Sequence, residues 1–165
     1  MALLQDDRPG RSGAGGAGRD RGRTVTVRVA FMCVQNAGRS QMSTAFAERE
    51  RAERGLEDDI EILTGGTDPA DHVHEEVIEV MREKGFDLSD REPRAISDAE
   101  LASCDYVATM GCSTLSLDAD TDVRDWALDD PDGQELDAVR AIRDDIESRV
   151  AALFDEIAVD LRAEH

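Results

Sequence analysis

Apolar residues along the chain follow two periods in alternation. Residues 24–32 are β-branched and apolar almost without a break, the pattern of a strand buried on both faces. From Ser40 to Arg54, apolar or small residues fall at Met42, Ala45, Phe46 and Ala52 among Glu and Arg. Gly55 follows, so this stretch reads as a helix with a glycine at its C-terminus. Residues 61–64 predict a second strand, ended by Gly65-Gly66. Val73, Val77, Val80 and Met81 then recur at helical spacing until Lys84-Gly85. A third strand is expected over residues 105–110 and a short fourth over 123–128. Val139, Ile142, Ile146, Val150, Leu153 and Ile157 make one stripe of a long terminal helix. Strands alternating with helices predict an α/β domain, a parallel sheet flanked by helices on both faces. In such sheets ligands bind beyond the carboxyl ends of the strands.

The first 24 residues lack this pattern. Gly-Ala-Gly-Gly-Ala-Gly follows Ser12, and arginine recurs at Arg8, Arg11, Arg19, Arg21 and Arg23. Glycine-rich, apolar-poor sequence cannot offset its ordering entropy, so residues 1–24 are expected to be a disordered tail and residues 25–160 the folded domain. A basic tethering arm is the competing role for that tail. A chain of 165 residues suits one domain.

Charge narrows the function classes. There are 19 basic and 38 acidic side chains, a net charge of −19. Five arginines against Asp6, Asp7 and Asp20 put the tail at +2 and the remainder at −21. That balance excludes a nucleic-acid partner, which rewards a basic face. The longest apolar run, Val29-Ala30-Phe31-Met32-Cys33-Val34, falls far short of the ~20 residues that span a bilayer. No secretory leader pattern opens the chain, so a soluble protein of the cytoplasm, without a membrane, is expected. Lys84 is the sole lysine. An acidic, lysine-poor surface repels itself at low salt and suits concentrated cations, the habitat of a halophile. An acidic face for a basic partner is the competing explanation, although the acids are spread along the chain rather than bunched.

Three cysteines, Cys33, Cys104 and Cys112, form an odd set without Cys-x-x-Cys, and the only histidines are His72, His74 and His165. Reactive or buried thiols fit this better than a disulfide framework, and neither a metal site nor a cofactor is expected. Cys104, ahead of the third strand, reads as packing.

The loop Cys33-Val34-Gln35-Asn36-Ala37-Gly38-Arg39-Ser40 sits where the sheet rule places a ligand, after the first strand and before the first helix. Asn36 tolerates a left-handed conformation, and Gly38 removes a side chain where the backbone must curl inward. A loop of this length can turn the N–H groups from Val34 to Ser40 onto one centre and cradle a tetrahedral oxyanion. The helix N-terminus adds positive potential, and the planar fork of Arg39 matches two anion oxygens. That field favours a thiolate at Cys33, and the Ser40 hydroxyl can hydrogen-bond to it. A plain apolar filler at a strand end is the bland alternative for Cys33.

Cys-x5-Arg-Ser after the first strand resembles the low-molecular-weight protein tyrosine phosphatases and the arsenate reductases that share their fold. Cys-Val-Gln-Asn-Ala-Gly-Arg-Ser-Gln-Met is more similar to the reductase branch. Thr64-Gly65-Gly66-Thr67, Val73-His74, Thr109-Met110-Gly111-Cys112 and Asp125-Trp126-Ala127-Leu128-Asp129-Asp130-Pro131 follow in the family's order. The resemblance covers roughly residues 25–153 and implies a four-stranded parallel sheet flanked by helices. It implies arsenate or phosphate as the oxyanion, Cys33 as nucleophile, Arg39 as anion clamp and Asp130 as the acid of an Asp-Pro loop, with Asp129 a weaker claimant and a turn residue the plain alternative. For a reductase it implies a second thiol. Cys112 is the candidate, while Ser116 stands where many relatives carry a further cysteine. Thioredoxin, a glutaredoxin-like protein or a low-molecular-weight thiol such as mycothiol would then supply electrons. Asp132-Gly133 follow the Asp-Pro where the phosphatases often place an aromatic, and Trp126 reads equally as core. A low-molecular-weight phosphatase is therefore the alternative, and a non-catalytic oxyanion-binding or redox-sensing module the third reading.

Overall fold

The computed structural model describes residues 26–110, 121–126 and 128–163. The expected tail at 1–24 and the expected resolving thiol Cys112 lie outside these residues. Four strands, β1 (Val27–Cys33), β2 (Ile60–Gly66), β3 (Tyr106–Thr109) and β4 (Asp122–Asp125), form one sheet in the order β2-β1-β3-β4, all parallel. The helices are α1 (Arg39–Glu53), α2 (Glu75–Arg82), α3 (Asp98–Ala102) and α4 (Leu136–Ala163).

β1 is central, which accounts for its apolar run from Val29 onward: a strand paired on both edges and covered on both faces buries both of its sides, and only Arg28, near its start, is half-buried. Val27, Val29, Phe31 and Cys33 point into the larger core with Phe46 of α1, Val77 and Met81 of α2 and Ile146, Val150 and Phe154 of α4. Ala30 and Met32 point the other way, into a smaller cluster with Leu101, Cys104 and Val107. Trp126 belongs to the larger core, its ring 6.0 Å from that of Phe31.

Several boundaries differ from the sequence expectation. β1 is displaced to run through Cys33, so the nucleophile candidate is the last residue of the strand. β2 does not stop before Gly65-Gly66 but includes both. A side chain on Gly65 would collide with Ile96, and one on Gly66 with the Val34 carbonyl oxygen. The glycines therefore serve close approach rather than termination. β4 ends at Asp125, not 128. Ala52 is exposed, because the buried part of α1 is its first nine residues, Arg39 to Ala47. Ser43 and Thr44 are tolerated there since their hydroxyls donate to the carbonyls of Arg39 and Ser40, at 2.8 and 2.7 Å. α3 is an element the periodicity misses. Its start is a capping box, with the Ser97 hydroxyl accepting from the Glu100 N–H and the Glu100 carboxylate from the Ser97 N–H.

On the surface, arginine does the pairing. Arg124 holds Asp122 and Glu156, and Arg140 and Arg143 converge on Glu83, whose carboxyl they hold down at about 2. No helix among the described residues is long and apolar enough to cross a membrane.

Candidate active site

The loop between β1 and α1 owes its shape to where its carbonyls go. The carbonyls of Cys33, Val34, Gln35 and Ala37 accept from the N–H groups of Thr67, Asp68, Ala70 and His74, at 3.3, 2.8, 3.0 and 2.9 Å. That of Asn36 accepts from the Gln41 side chain at 3.0 Å, and that of Gly38 from the Met42 N–H at 3.0 Å. With six consecutive carbonyls drawn outward, the amides turn inward. The Asn36 N–H points at Cys33 Sγ, 3.2 Å away. Nothing among the described residues accepts from the N–H groups of Val34, Gln35, Ala37 or Gly38. A ring of unclaimed donors around a sulfur at the head of a helix is an anion nest.

Asn36 is the hub of this turn. It has φ +52°, the left-handed conformation anticipated for it, and is fully buried. Its Nδ2 donates to Ser40 Oγ at 2.7 Å and Thr64 Oγ1 at 2.9 Å, while its Oδ1 accepts from the Arg94 N–H at 3.0 Å and Gln41 Nε2 at 3.2 Å. Thr64 passes its own proton to the Phe31 carbonyl, 3.1 Å away. Ser40 Oγ, which accepts from Asn36, lies 3.0 Å from Cys33 Sγ, a contact in which either atom can donate, so a thiolate there would receive the Ser40 proton beside the Asn36 N–H. Donors aimed at a sulfur stabilise negative charge on it. Gln41 also keeps a buried Oε1 without a partner among the described residues.

Cys33, Val34, Gln35, Gly38, Arg39 and Asp130 line one cavity of ≈180 Å³. Asn36, Ala37 and Ser40, expected beside the anion, are fully buried and are not among the residues that line this cavity. Arg39 is buried, and its Nη1 donates to the carbonyls of Met110 at 2.5 Å and Leu128 at 2.9 Å. One corner of the guanidinium is thus fixed by the ends of β3 and of the segment after β4. Asp130 is exposed at the mouth, its Oδ1 accepting from the Asp132 N–H at 3.0 Å; Asp129 does not line the cavity. Pro131 is buried against Gly38, where an added side-chain carbon would lie 2.9 Å from Pro131 Cγ. No aromatic ring is among the cavity's described lining residues.

The framing residues Thr64, Gly66, Gln41 and Arg94 went unassigned in the sequence reading. Thr64 and Gly66 left a trace in the Thr-Gly-Gly-Thr stretch and Gln41 in Cys-Val-Gln-Asn-Ala-Gly-Arg-Ser-Gln-Met, while Arg94 left none. No group of three metal-ligating side chains occurs among the described residues. Cys104 is buried, its thiol donating to the Glu100 carbonyl at 3.3 Å.

Known proteins share this fold and much of this sequence. The family model for the low molecular weight phosphotyrosine protein phosphatases matches residues 28–163. A Halobacterium salinarum protein named "Putative arsenate reductase" is 74% identical over 136 residues, covering 82% of this chain and 96% of that one. The glutaredoxin arsenate reductase of Synechocystis is 31% identical over 136 residues, covering 79% and 98%. Among solved structures, the thioredoxin-dependent arsenate reductase of Corynebacterium glutamicum superposes with a TM-score of 0.68 at 29% identity. That match takes in 82% of this chain but 64% of the longer protein.

Proposed function

The chain belongs to the low molecular weight phosphotyrosine protein phosphatase family, and within it we propose that the protein is an arsenate reductase. The observation that carries the reading is the cavity: a sulfur at its floor, inward amides and Arg39 around it, a carboxyl at its mouth and no ring in its described walls. Such a site suits a free tetrahedral oxyanion better than an aryl ester. The 74% identical relative bears the same activity in its name.

Cys33 attacks arsenic while the nest amides and Arg39 hold the arsenate oxygens. Asp130 donates a proton to the departing oxygen, so that water leaves and a Cys33 S–As bond remains. A second thiol then attacks the Cys33 sulfur. An S–S bond forms, the S–As bond breaks, and its electron pair stays on arsenic, which departs as arsenite, reduced from As(V) to As(III). Cys112, two residues beyond Met110 in sequence, is the proposed second thiol, with a low-molecular-weight thiol as the substitute. The resulting disulfide calls for a dithiol reductant of the thioredoxin or glutaredoxin class in a reducing cytoplasm, and the names of two relatives support that class.

Paired assays in molar salt test this. The expected result is thiol-dependent arsenite formation from arsenate, with p-nitrophenyl phosphate hydrolysed slowly, and Cys33 joined to Cys112 or to a small thiol by mass spectrometry after turnover. Fast hydrolysis indifferent to thiols and to Cys112→Ser, without arsenite, would instead assign the cavity to a phosphatase.

A further inference from the structure

The carboxyl of Asp130 stands on a loop that the bonds of Asp130 itself do not attach to the anion nest. The Asp130 Oδ1 to Asp132 N–H contact, and the Asp130 carbonyl accepting from Gln134 Nε2 at 2.7 Å, shape the loop, whose near side meets the nest at the Leu128 carbonyl on Arg39 and at Pro131 against Gly38. The anchor on the far side of Asp130 comes from α2. Glu76 Oε2 accepts from the Gly133 N–H at 3.1 Å, across 57 residues of sequence. Gly133 has φ +75°, a conformation open to glycine that lets its N–H face α2. Beside this bond, His74 Nδ1 lies 4.0 Å from Asp132 Oδ1, and the His74 N–H is the donor that holds the Ala37 carbonyl of the nest. The first turn of α2 therefore holds nest and acid loop together. An acid in a first helical turn is ordinarily explained by the helix dipole, and exposed Glu75 already fills that place. Glu76 is half-buried and aimed at the loop.

We propose that Glu76 is a positioning residue for the general acid: by fixing the Gly133 N–H it holds the Asp130–Gly133 turn over the cavity, so that the Asp130 carboxyl meets the departing oxygen. The inference rests on the assignment of Asp130 as the acid. It separates binding from chemistry. The nest amides and Arg39 do not depend on the Glu76 bond, whereas proton delivery does, and misplacing a catalytic group by about 1 Å costs up to 10²-fold in rate.

Four proteins test it in arsenate turnover with a thiol regenerating system at constant high salt: Glu76→Ala, Glu76→Gln, Asp130→Asn and the Asp130→Asn/Glu76→Ala double variant. Glu76→Ala should lower kcat about tenfold with KM for arsenate unchanged. Glu76→Gln, which keeps an acceptor oxygen, should recover most of that loss. In the Asp130→Asn background Glu76→Ala should cost nothing further, since the positioned group is gone. Protection of Cys33 from alkylation by inorganic phosphate should be the same in Glu76→Ala and Glu76→Gln as in the unsubstituted protein. If Asp130→Asn leaves kcat unchanged, the acid assignment itself fails. If Asp130→Asn is damaging but Glu76→Ala is silent, or if the two losses multiply, or if phosphate protection weakens in Glu76→Ala, the positioning role is overturned.

Discussion

Cys33 and Cys104 sit at opposite ends of the same sheet and are buried to the same degree, 3% and 4% exposed. Their surroundings differ in sign. At the carboxyl end of β1 the Asn36 N–H donates to the Cys33 sulfur, and the Ser40 hydroxyl lies 3.0 Å from it. At Cys104, just before β3, the thiol is itself the donor, to the Glu100 carbonyl. Burial pushes the Cys104 thiol up, and Arg28 and the Ser103 hydroxyl oppose it only in part. Burial therefore does not mark a nucleophile. On the proposed reading, what sets Cys33 apart is the backbone donor on its sulfur and the cavity that opens there.

The largest effect that can break this contrast is removal of either sulfur. Cys33→Ser should abolish arsenate turnover, on the order of 10⁴-fold or more, because the nest still binds the anion but no soft nucleophile attacks it. Cys104→Ser should leave turnover essentially intact. Steady-state kinetics on the two variants decide between them, and equal losses would show that the donors around Cys33 do not set its role.

Next in size is an attack on the donors through the backbone behind them. Gly66 lies under the loop, and an added methyl would overlap the Val34 carbonyl oxygen and approach the Asn36 nitrogen, 3.0 Å away. Gly66→Ala should destabilise the protein by about 1–3 kcal/mol through overpacking. It should also weaken phosphate protection of Cys33 by roughly tenfold, as the Val34 and Asn36 peptides are pushed out of line. Denaturant unfolding and alkylation kinetics measure the two parts separately. An alanine accepted without loss of phosphate protection would mean the amides do not hold the anion.

How much of this was legible in the sequence depends on the distance over which each constraint acts. The nest was readable because its causes are local: Cys33 ends a strand, Asn36 admits φ > 0, Gly38 clears space and Arg39 opens a helix, all within seven residues. The parallel α/β class was readable from periodicity alone. Gly65-Gly66 misled because local rules make glycine a strand breaker, whereas here the strand continues and the missing side chains make room for Ile96 and the loop. α3 was too short for a periodic signal, although its Ser97-x-x-Glu100 cap was in plain view. Glu76 was not legible at all. In sequence it is one of two acids at a helix start, and only the fold brings Gly133 to it.

The smallest effect concerns the inert thiol, and it carries a sign. Burial raises Cys104 above its ordinary value of 9.0, so the folded state retains the proton to higher pH than the unfolded chain does. Above the unfolded value the native state binds more protons, and stability must fall as pH rises. The contribution of Cys104 is thus complete below about pH 9 and is lost as pH climbs through the raised folded value. Cys104→Ala should flatten the decline of Tm on the alkaline side while costing little near neutrality, since the side chain removes only one sulfur from a small cluster. Thermal melts of both proteins from pH 7 to about pH 11 at fixed salt measure this. Parallel alkaline slopes would mean that Cys104 shares the donor-rich character of Cys33, and the contrast between the two ends of the sheet would lose its basis.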